Sequence, residues 1–468
     1  MRIAVIGAGI SGLATAFFLD RQCRSGGLAG EIVVLEKEAR VGGKIRSDCD
    51  QGYLVEWGPN GFLDSKPATL DLCRQLGLSG HLLRSDDNAR KRFIFADGRL
   101  QRVPETAAGF LRSPLISWPG KLRLGAELLV PRGHQEDESL ADFVRRRLGP
   151  EALEKLIGPM VSGIFAGDPE TMSLRSCFPR IHELEQQYGG LIRAMLRLAG
   201  QKRRERRAGK VVASAAGPGG ILTSFEAGLQ TLPDALAASL GDRIRSGLAA
   251  TTLRPKGDGF EIILADGRSL TAEVVICALP APELAGLLDV SRPTMSSLLR
   301  QIPYAPLQVA CFGYRSEDLP GELDGFGYLA TRNSGLHSLG TLWDSSIFPQ
   351  RAPAGRRLLR TMLGGAARPA AGTLSAEQVR GEVMEDLRTT LGVEAAPEWV
   401  RIIAHAAAIP QYPPGHGRRL AALEELAAGT PGLFLVGNAF YGVGLNDCVA
   451  AAGRVADRVL ALLQQRGG

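Results

Sequence analysis

The chain opens on "MRIAVIGAGISGLATAFFL", and no other stretch restricts its possible folds as much. "RIAVI" is a short β-branched run that predicts a buried strand, and "LATAFFLD" has helical composition. Between them Gly7, Gly9 and Gly12 hold a G-x-G-x-x-G spacing, with Ala8, Ile10 and Ser11 in the intervening positions. Gly7 permits the tight turn, Gly9 lets the backbone approach a pyrophosphate, and Gly12 lets the helix pack against the sheet. A phosphate would then sit on the helix N-terminus. "EIVVLE" supplies a second buried strand ending on Glu36, which completes a βαβ unit of the size expected for dinucleotide binding. The Glu36 carboxylate can accept both ribose hydroxyls, each charge-assisted bond being worth about 1.5–3 kcal/mol. An acid there disfavours a 2′-phosphate, which leaves NAD and FAD open.

A second glycine-lined unit lies near the other end of the chain, in "LFLVGNAFYGVGLNDCVAA". It reads as a strand, a turn and the start of a helix. Gly437 and Asn438 follow the strand, and Val443, Gly444 and Leu445 stand at the helix start. At 468 residues the chain exceeds what one core organises, so two or three domains are expected. From about Phe110 to Arg207 apolar and charged residues alternate at helical spacing. Strand-like runs such as "LQVACFGY", "GFGYLATR" and "LLRTMLGG" return later, and Asp-Gly pairs mark hairpins in "IFADGRL" and "LADGRSL".

Net charge is +6, a moderate basic excess that favours anionic partners, yet no nucleic-acid module is legible. The basic run "KRRERRAGK" reads as a solvated loop. The seven cysteines are scattered without a C-x-x-C pair and the six histidines do not cluster, so neither a metal site nor a disulfide framework is expected. A reduced, cytosolic setting follows by default. The first strand begins at Arg2, which leaves no room for a secretory signal, and no run of eighteen apolar residues exists to span a membrane.

After Glu36 come Arg40, Gly42, Gly43 and Lys44. This E-x-x-x-R-x-G-G-[KR] pattern resembles the extended FAD fingerprint of the amine oxidase and desaturase superfamily. The resemblance implies an extended FAD, with the C-terminal strand–turn–helix closing on its flavin half. Cofactor contacts are implied at Gly7 to Gly12, Glu36, Lys37, Gly43, Lys44, Ala249, Gly437, Asn438, Val443, Gly444 and Leu445. Basic groups beside the paired glycines would offset phosphate charge, and Asp447 is expected as a helix cap or ribityl partner.

Further stretches resemble the protoporphyrinogen oxidase family: "EWGPNGF", "SGIFAGDPETMSLRSCFP", "DGFGYL", "TMLGG", "IPQYPPGH" and "GVGLNDC". They fall in the expected order along nearly the whole chain, and "GIFAGD" and "LSLRSCFP" are not general features of amine oxidases. The resemblance implies an α/β fold: a Rossmann-type FAD-binding domain (1–75, 208–290, 425–468), an α+β substrate domain (76–109, 291–424) and a helical membrane-associated domain (110–207). It implies oxidation of protoporphyrinogen IX through FAD to molecular oxygen, on the cytoplasmic face of a membrane, with homodimerisation by analogy. Arg92 would clamp a propionate, with Lys91 a poorer candidate. Phe326, Leu329 and Met362 would flank the macrocycle, and Gly163 would lie at the bend of the pocket wall. Gly58, Pro59, Asn60 and Gly61 would offer backbone to the flavin. Gly61 stands where many bacterial relatives have serine, with slight effect expected. Three alternatives remain open: coproporphyrinogen as substrate, a flavin amine oxidase or desaturase, and a non-catalytic FAD-bound scaffold.

Overall fold

The computed structural model describes residues 1–26, 30–207 and 220–467. Strand Arg2–Ile6 runs into helix Ile10–Ser25, and strand Glu31–Leu35 returns parallel beside it, with Ile3 opposite Ile32 and Val5 opposite Val34. A five-stranded parallel sheet is ordered Ile244–Arg245, Glu31–Leu35, Arg2–Ile6, Val274–Cys277, Leu433–Leu435. The beginning, middle and end of the chain therefore all contribute to one sheet. Its strands are nearly continuous apolar runs because both faces are covered. On one face Leu13 and Phe17 of the first helix pack with Val449, Val455 and Val459 of the C-terminal helix Leu445–Gly467. On the other, Ala4, Ile6 and Val33 meet Ile262, Leu284 and Leu299. Each large side chain so buried contributes about 1.5–3 kcal/mol.

A second sheet has seven strands, ordered Trp399–Pro410, Tyr304–Arg315, Arg356–Gly364, Ser338–Leu342, Gly327–Ala330, Arg92–Ala96, Arg99–Arg102. Neighbours are antiparallel except Gly327–Ala330 beside Arg92–Ala96. The hairpin expected at "IFADGRL" is present, with Asp97 at φ 54° and Gly98 at φ 72°, the left-handed pair that matches strand twist. "LADGRSL" forms the second, joining Gly259–Leu264 to Ser269–Ala272. One face of the seven-stranded sheet is buried against helix Ala376–Leu391 through Phe312, Tyr328, Leu359, Val379, Val383 and Leu387. Ser375 and Gln378 start that helix with reciprocal side-chain caps.

The stretch between Ala107 and Arg207 is helical, with Phe143, Val144, Val161, Phe165 and Met172 at its centre. Arg147 is fully buried there, its Nη1 2.9 Å from Glu127 and its Nε 2.8 Å from Glu185. Removing Arg147 would strand the buried Glu127 carboxylate, at a cost of about 3–5 kcal/mol. Helix Leu191–Arg207 takes in most of "KRRERRAGK", which corrects the loop expected there: Lys, Arg and Glu are good helix formers, and the apolar stripe before them carries the helix on. The last three residues of that run lie outside the described residues. Among the described residues no helix is long and apolar enough to cross a membrane.

Candidate functional site

The N-terminal turn is held by backbone contacts and by one carboxylate, that of Glu36. Gly7 has φ +103° and its N–H donates to Leu35 O at 2.8 Å. A Cβ on Gly12 would lie 1.9 Å from the Gly7 carbonyl oxygen, whereas a Cβ on Gly9 would meet nothing within 4 Å. Gly12 is thus a packing glycine, and Gly9 lines open space at the start of helix Ile10–Ser25. That helix has no side-chain cap at Gly9 and no acid in its first turn, so its leading amides, around Ile10 and the buried Ser11, are left for an anion. An uncapped helix start beside open backbone fits the diphosphate of a dinucleotide.

Glu36 is buried, and its carboxylate already orders this turn: Oε2 accepts the Ala8 N–H at 2.7 Å and Oε1 the Glu38 N–H at 3.0 Å. Each oxygen keeps a lone pair for a ribose hydroxyl. Leu248 N donates to Glu36 O at 2.8 Å, which brings Ala249 alongside. The Gly42–Lys44 turn docks on the first, with Gly42 N donating to Ala8 O at 2.8 Å and a Gly43 Cβ position 3.3 Å from Gly9 Cα. The neighbouring cations are spoken for. Arg40 donates to the carbonyls of Val41, Gly43 and Ile45, so it folds the turn, and Lys37 pairs with Glu283 at 3.1 Å. Lys44 Nζ donates to Ala407 O and Ala408 O on the long strand Trp399–Pro410 and lies 5.1 Å from the centre of the Tyr304 ring. Burial pulls its ammonium down to about 8, with Glu283 opposing.

The loop Gly58–Gly61 rests on a buried ionic cluster absent from the sequence reading. Arg351 pairs with Glu56 at 2.9 Å, Arg360 with Asp344 at 2.9 Å, and Arg360 Nη1 also donates to the Glu56 and Gly58 carbonyls at 3.0 Å each. Asn60 Nδ2 donates to Asp344 at 3.2 Å, and Pro59 lies between these two anchored residues. Burial pushes the Glu56 and Asp344 carboxyls up, against the pull of the two guanidinium groups, and pushes Arg351 down. A Cβ on Gly61 would lie 2.5 Å from Thr223 O, and Leu222 crowds it as well. Glycine is the residue this backbone takes at position 61 without a shift of its neighbours.

At the C-terminal turn Gly437 has φ +144° and follows strand Leu433–Leu435 closely. Tyr412, from "IPQYPPGH", donates its hydroxyl to Asn438 O and accepts the Gly442 N–H at 3.2 Å. Val443 packs toward the helical core and Leu445 toward the first sheet, with Gly444 between them. Asp447 is not seen as a cap: its Oδ1 takes the Lys66 ammonium at 2.6 Å. A lysine just before the distant helix Pro67–Gln75 had no signal in the local sequence.

The seven-stranded sheet aligns the remaining residues. Val309 pairs with Met362, Met362 with Gly340, Gly340 with Leu329, and Leu329 with Ile94. Paired residues point to the same face, so Leu329 and Met362 stand on either side of Gly340, which has no side chain. Above them helix Gly158–Phe165 brings Gly163, where a Cβ would be 2.8 Å from Leu329 Cδ2. Gly163, Leu329 and Met362 therefore lie together on one face of this sheet. Arg92 is exposed at one end, its guanidinium 5.3 Å from the Phe326 ring centre and without a carboxylate partner among the described residues. Lys91 beside it is neutralised by Asp324. Gly340 and His405 escaped the sequence reading. His405, on the same face as Val309 and Ile403, has its Nε2 2.8 Å from Trp57 O, and burial pulls its imidazole down. Neither carries a local motif.

A profile of the family "Flavin containing amine oxidoreductase" matches residues 10–460. The coproporphyrinogen III oxidase of Bacillus subtilis (strain 168) is 32% identical over 96% of this chain and 95% of its own. The chloroplastic protoporphyrinogen oxidase 1 of Spinacia oleracea is 34% identical over 98% of this chain and 84% of its own. A crystal structure from Exiguobacterium sp. 255-15, described as a suggested protoporphyrinogen oxidase, superposes with a TM-score of 0.81 at 26% identity, covering 98% of both chains.

Proposed function

The chain belongs to the flavin containing amine oxidoreductase family, and from that premise we propose that it oxidises protoporphyrinogen IX to protoporphyrin IX in haem biosynthesis. FAD is its cofactor. FAD bound there would supply two-electron acceptance three times per porphyrin, with three O2 as the proposed final acceptors giving three H2O2. The chain's own residues hold and orient. The helix start at Ile10 and Ser11 takes the diphosphate, Glu36 the ribose, and the Gly58–Gly61 and Gly437–Leu445 turns offer backbone to the flavin half. The cation left when a porphyrinogen bridging carbon gives up hydride is delocalised over the pyrroles. Pyrrolic protons then leave without a strong dedicated base, and positioning is the protein's main task.

One observation carries this reading: Leu329, Met362 and Gly163 are gathered on one face of the second sheet, with Arg92 exposed at the start of the neighbouring strand and without a carboxylate partner among the described residues. A guanidinium there can grip a propionate in two-point fashion. The Bacillus subtilis relative favours a second reading, coproporphyrinogen III, whose two extra propionates call for further cations. At the far end of the same strands Arg332 is paired with Asp168 and Lys155 with Asp97, which supports the less charged substrate. The test is to add each porphyrinogen to flavin-loaded protein in air and detergent and follow porphyrin fluorescence above spontaneous oxidation. Faster turnover of protoporphyrinogen is expected. A preference for coproporphyrinogen would overturn the substrate, and no turnover of either would overturn the reaction.

Peripheral contact with an anionic membrane belongs to the same reading. The helical lobe exposes Leu111, Trp118 (66%), Leu122, Leu129 (84%), Met195 and Leu196, with Lys121 beside Trp118. Flotation with anionic vesicles, weakened by Leu122→Ser/Leu129→Ser, is the measurement that decides it.

A further inference from the structure

"IPQYPPGH" is the one motif to which the proposed reaction gives no task. Its tyrosine is 2% exposed and makes an unusual pair of contacts. The Tyr412 hydroxyl donates to the Asn438 carbonyl and accepts the Gly442 N–H, so a single oxygen holds both ends of a five-residue turn. A phenol can do both at once because it is donor and acceptor. The ring beneath is fixed from two sides. The His416 imidazole stacks on it at 4.2 Å and 13°, and the Phe165 ring meets it edge-on at 6.3 Å. His416 is itself 2% exposed, and among the described residues neither ring nitrogen has a hydrogen-bond partner, so its contact with Tyr412 is made by the flat face of the ring. Burial, with Arg419 adding to it, pulls that imidazole down to about 4, which keeps it neutral. Phe165 ends the helix that carries Gly163, and Gln411 Nε2 donates to Phe165 O at 2.9 Å.

We infer that Tyr412 is a positioning residue that clamps the Asn438–Gly442 turn against the end of the Gly158–Phe165 helix, and that this clamp sets how long the flavin stays bound. The inference rests on the reading that the Gly437–Leu445 turn meets the flavin. The hydroxyl acts on the cofactor side, while the stacked ring sits on the substrate wall, so the two walls of the site share one side chain.

Tyr412→Phe removes the oxygen and keeps the ring. With one hydrogen-bond bracket lost, flavin release from the loaded protein, followed by the rise of free-flavin fluorescence, is expected to quicken about tenfold. Amide exchange across residues 438–442 is expected to quicken by a similar factor, with the exchange of helix Gly158–Phe165 unchanged. His416→Phe keeps a flat ring under Tyr412 and is expected to release flavin at the wild-type rate. Equal release from Tyr412→Phe and wild type overturns the inference, as does faster exchange without faster release. Wild-type protein that holds no flavin overturns the cofactor reading instead, and with it this role for the clamp.

Discussion

The two glycine turns look alike in sequence and are built by different means. In the first, the constraint on Gly12 is the carbonyl of Gly7, five residues away, and the cradle at Gly9 is open. In the second, the crowding comes from side chains: Asp447 sits 2.8 Å from a Cβ position on Gly442 and 3.0 Å from one on Gly444, while Tyr412 and Lys66 reach in from elsewhere. A turn held by backbone and by the carboxylate that ends the next strand is legible in the sequence. One held by borrowed side chains can be loosened by changes far from it.

The sharpest way to break this contrast is a pair of alanine substitutions. Gly12→Ala drives a methyl into a backbone oxygen that cannot move without the strand, and soluble flavin-loaded protein is expected to fall about a hundredfold, the scale of an overpacking cost near 3 kcal/mol. Gly444→Ala meets only the end of the Asp447 carboxylate, and flavin content should stay within about threefold of wild type. Equal losses, read from absorbance ratios of purified protein, would end the distinction.

At Gly163, on the proposed substrate wall, the clash is again with a side chain, that of Leu329. Gly163→Val should abolish turnover with flavin retained. Gly163→Ala should lose about a hundredfold, since a misplacement near 1 Å has that effect, and Leu329→Ala in the same chain should restore part of it. Failure of the double variant to recover would place the obstruction elsewhere. Arg92→Ala is expected to raise KM about tenfold with a smaller change in kcat, the loss of one charge-assisted contact, with Arg92→Lys between.

Lys44 offers a pH test. Its ammonium sits near 8 in the fold against an ordinary value of 10.5, so between those values the unfolded chain binds the extra proton. Stability of the apoprotein should therefore gain an upward contribution from about pH 8 to pH 10.5, which Lys44→Met removes; denaturant midpoints at pH 7.5, 9 and 10 would show it. The smallest effect belongs to Lys66→Met. Its pair with Asp447 is largely exposed, worth about 0.2–1 kcal/mol, and the melting temperature should move by no more than ~1 °C.

How far the sequence could be read follows the same division. The Gly7–Gly12 turn, the Glu36 strand end and both Asp-Gly hairpins depend on neighbours in the chain, and their patterns stand in the open. Arg360 and Asp344 are fixed only when the second sheet meets the Glu56 loop, and neither carries a local sign of that meeting. Gly340 is a gap only because sheet register sets it between Met362 and Leu329. "KRRERRAGK" misled in the other direction, its charge suggesting a loop where helix propensity continued the helix to Arg207.

Strand Leu433–Leu435 is the outer edge of the first sheet, paired with Val274–Cys277, and it leaves the ribosome long after the Gly7–Gly12 turn it helps to enclose. At ~5–20 residues per second, the nascent chain carries half a crevice for tens of seconds. Leu13 and Phe17 wait all that time for the C-terminal helix that covers them. On the proposed placement of the flavin, its capture is expected only once that helix has been made, and a chain truncated before it is expected to expose Leu13 and Phe17 and to hold no flavin.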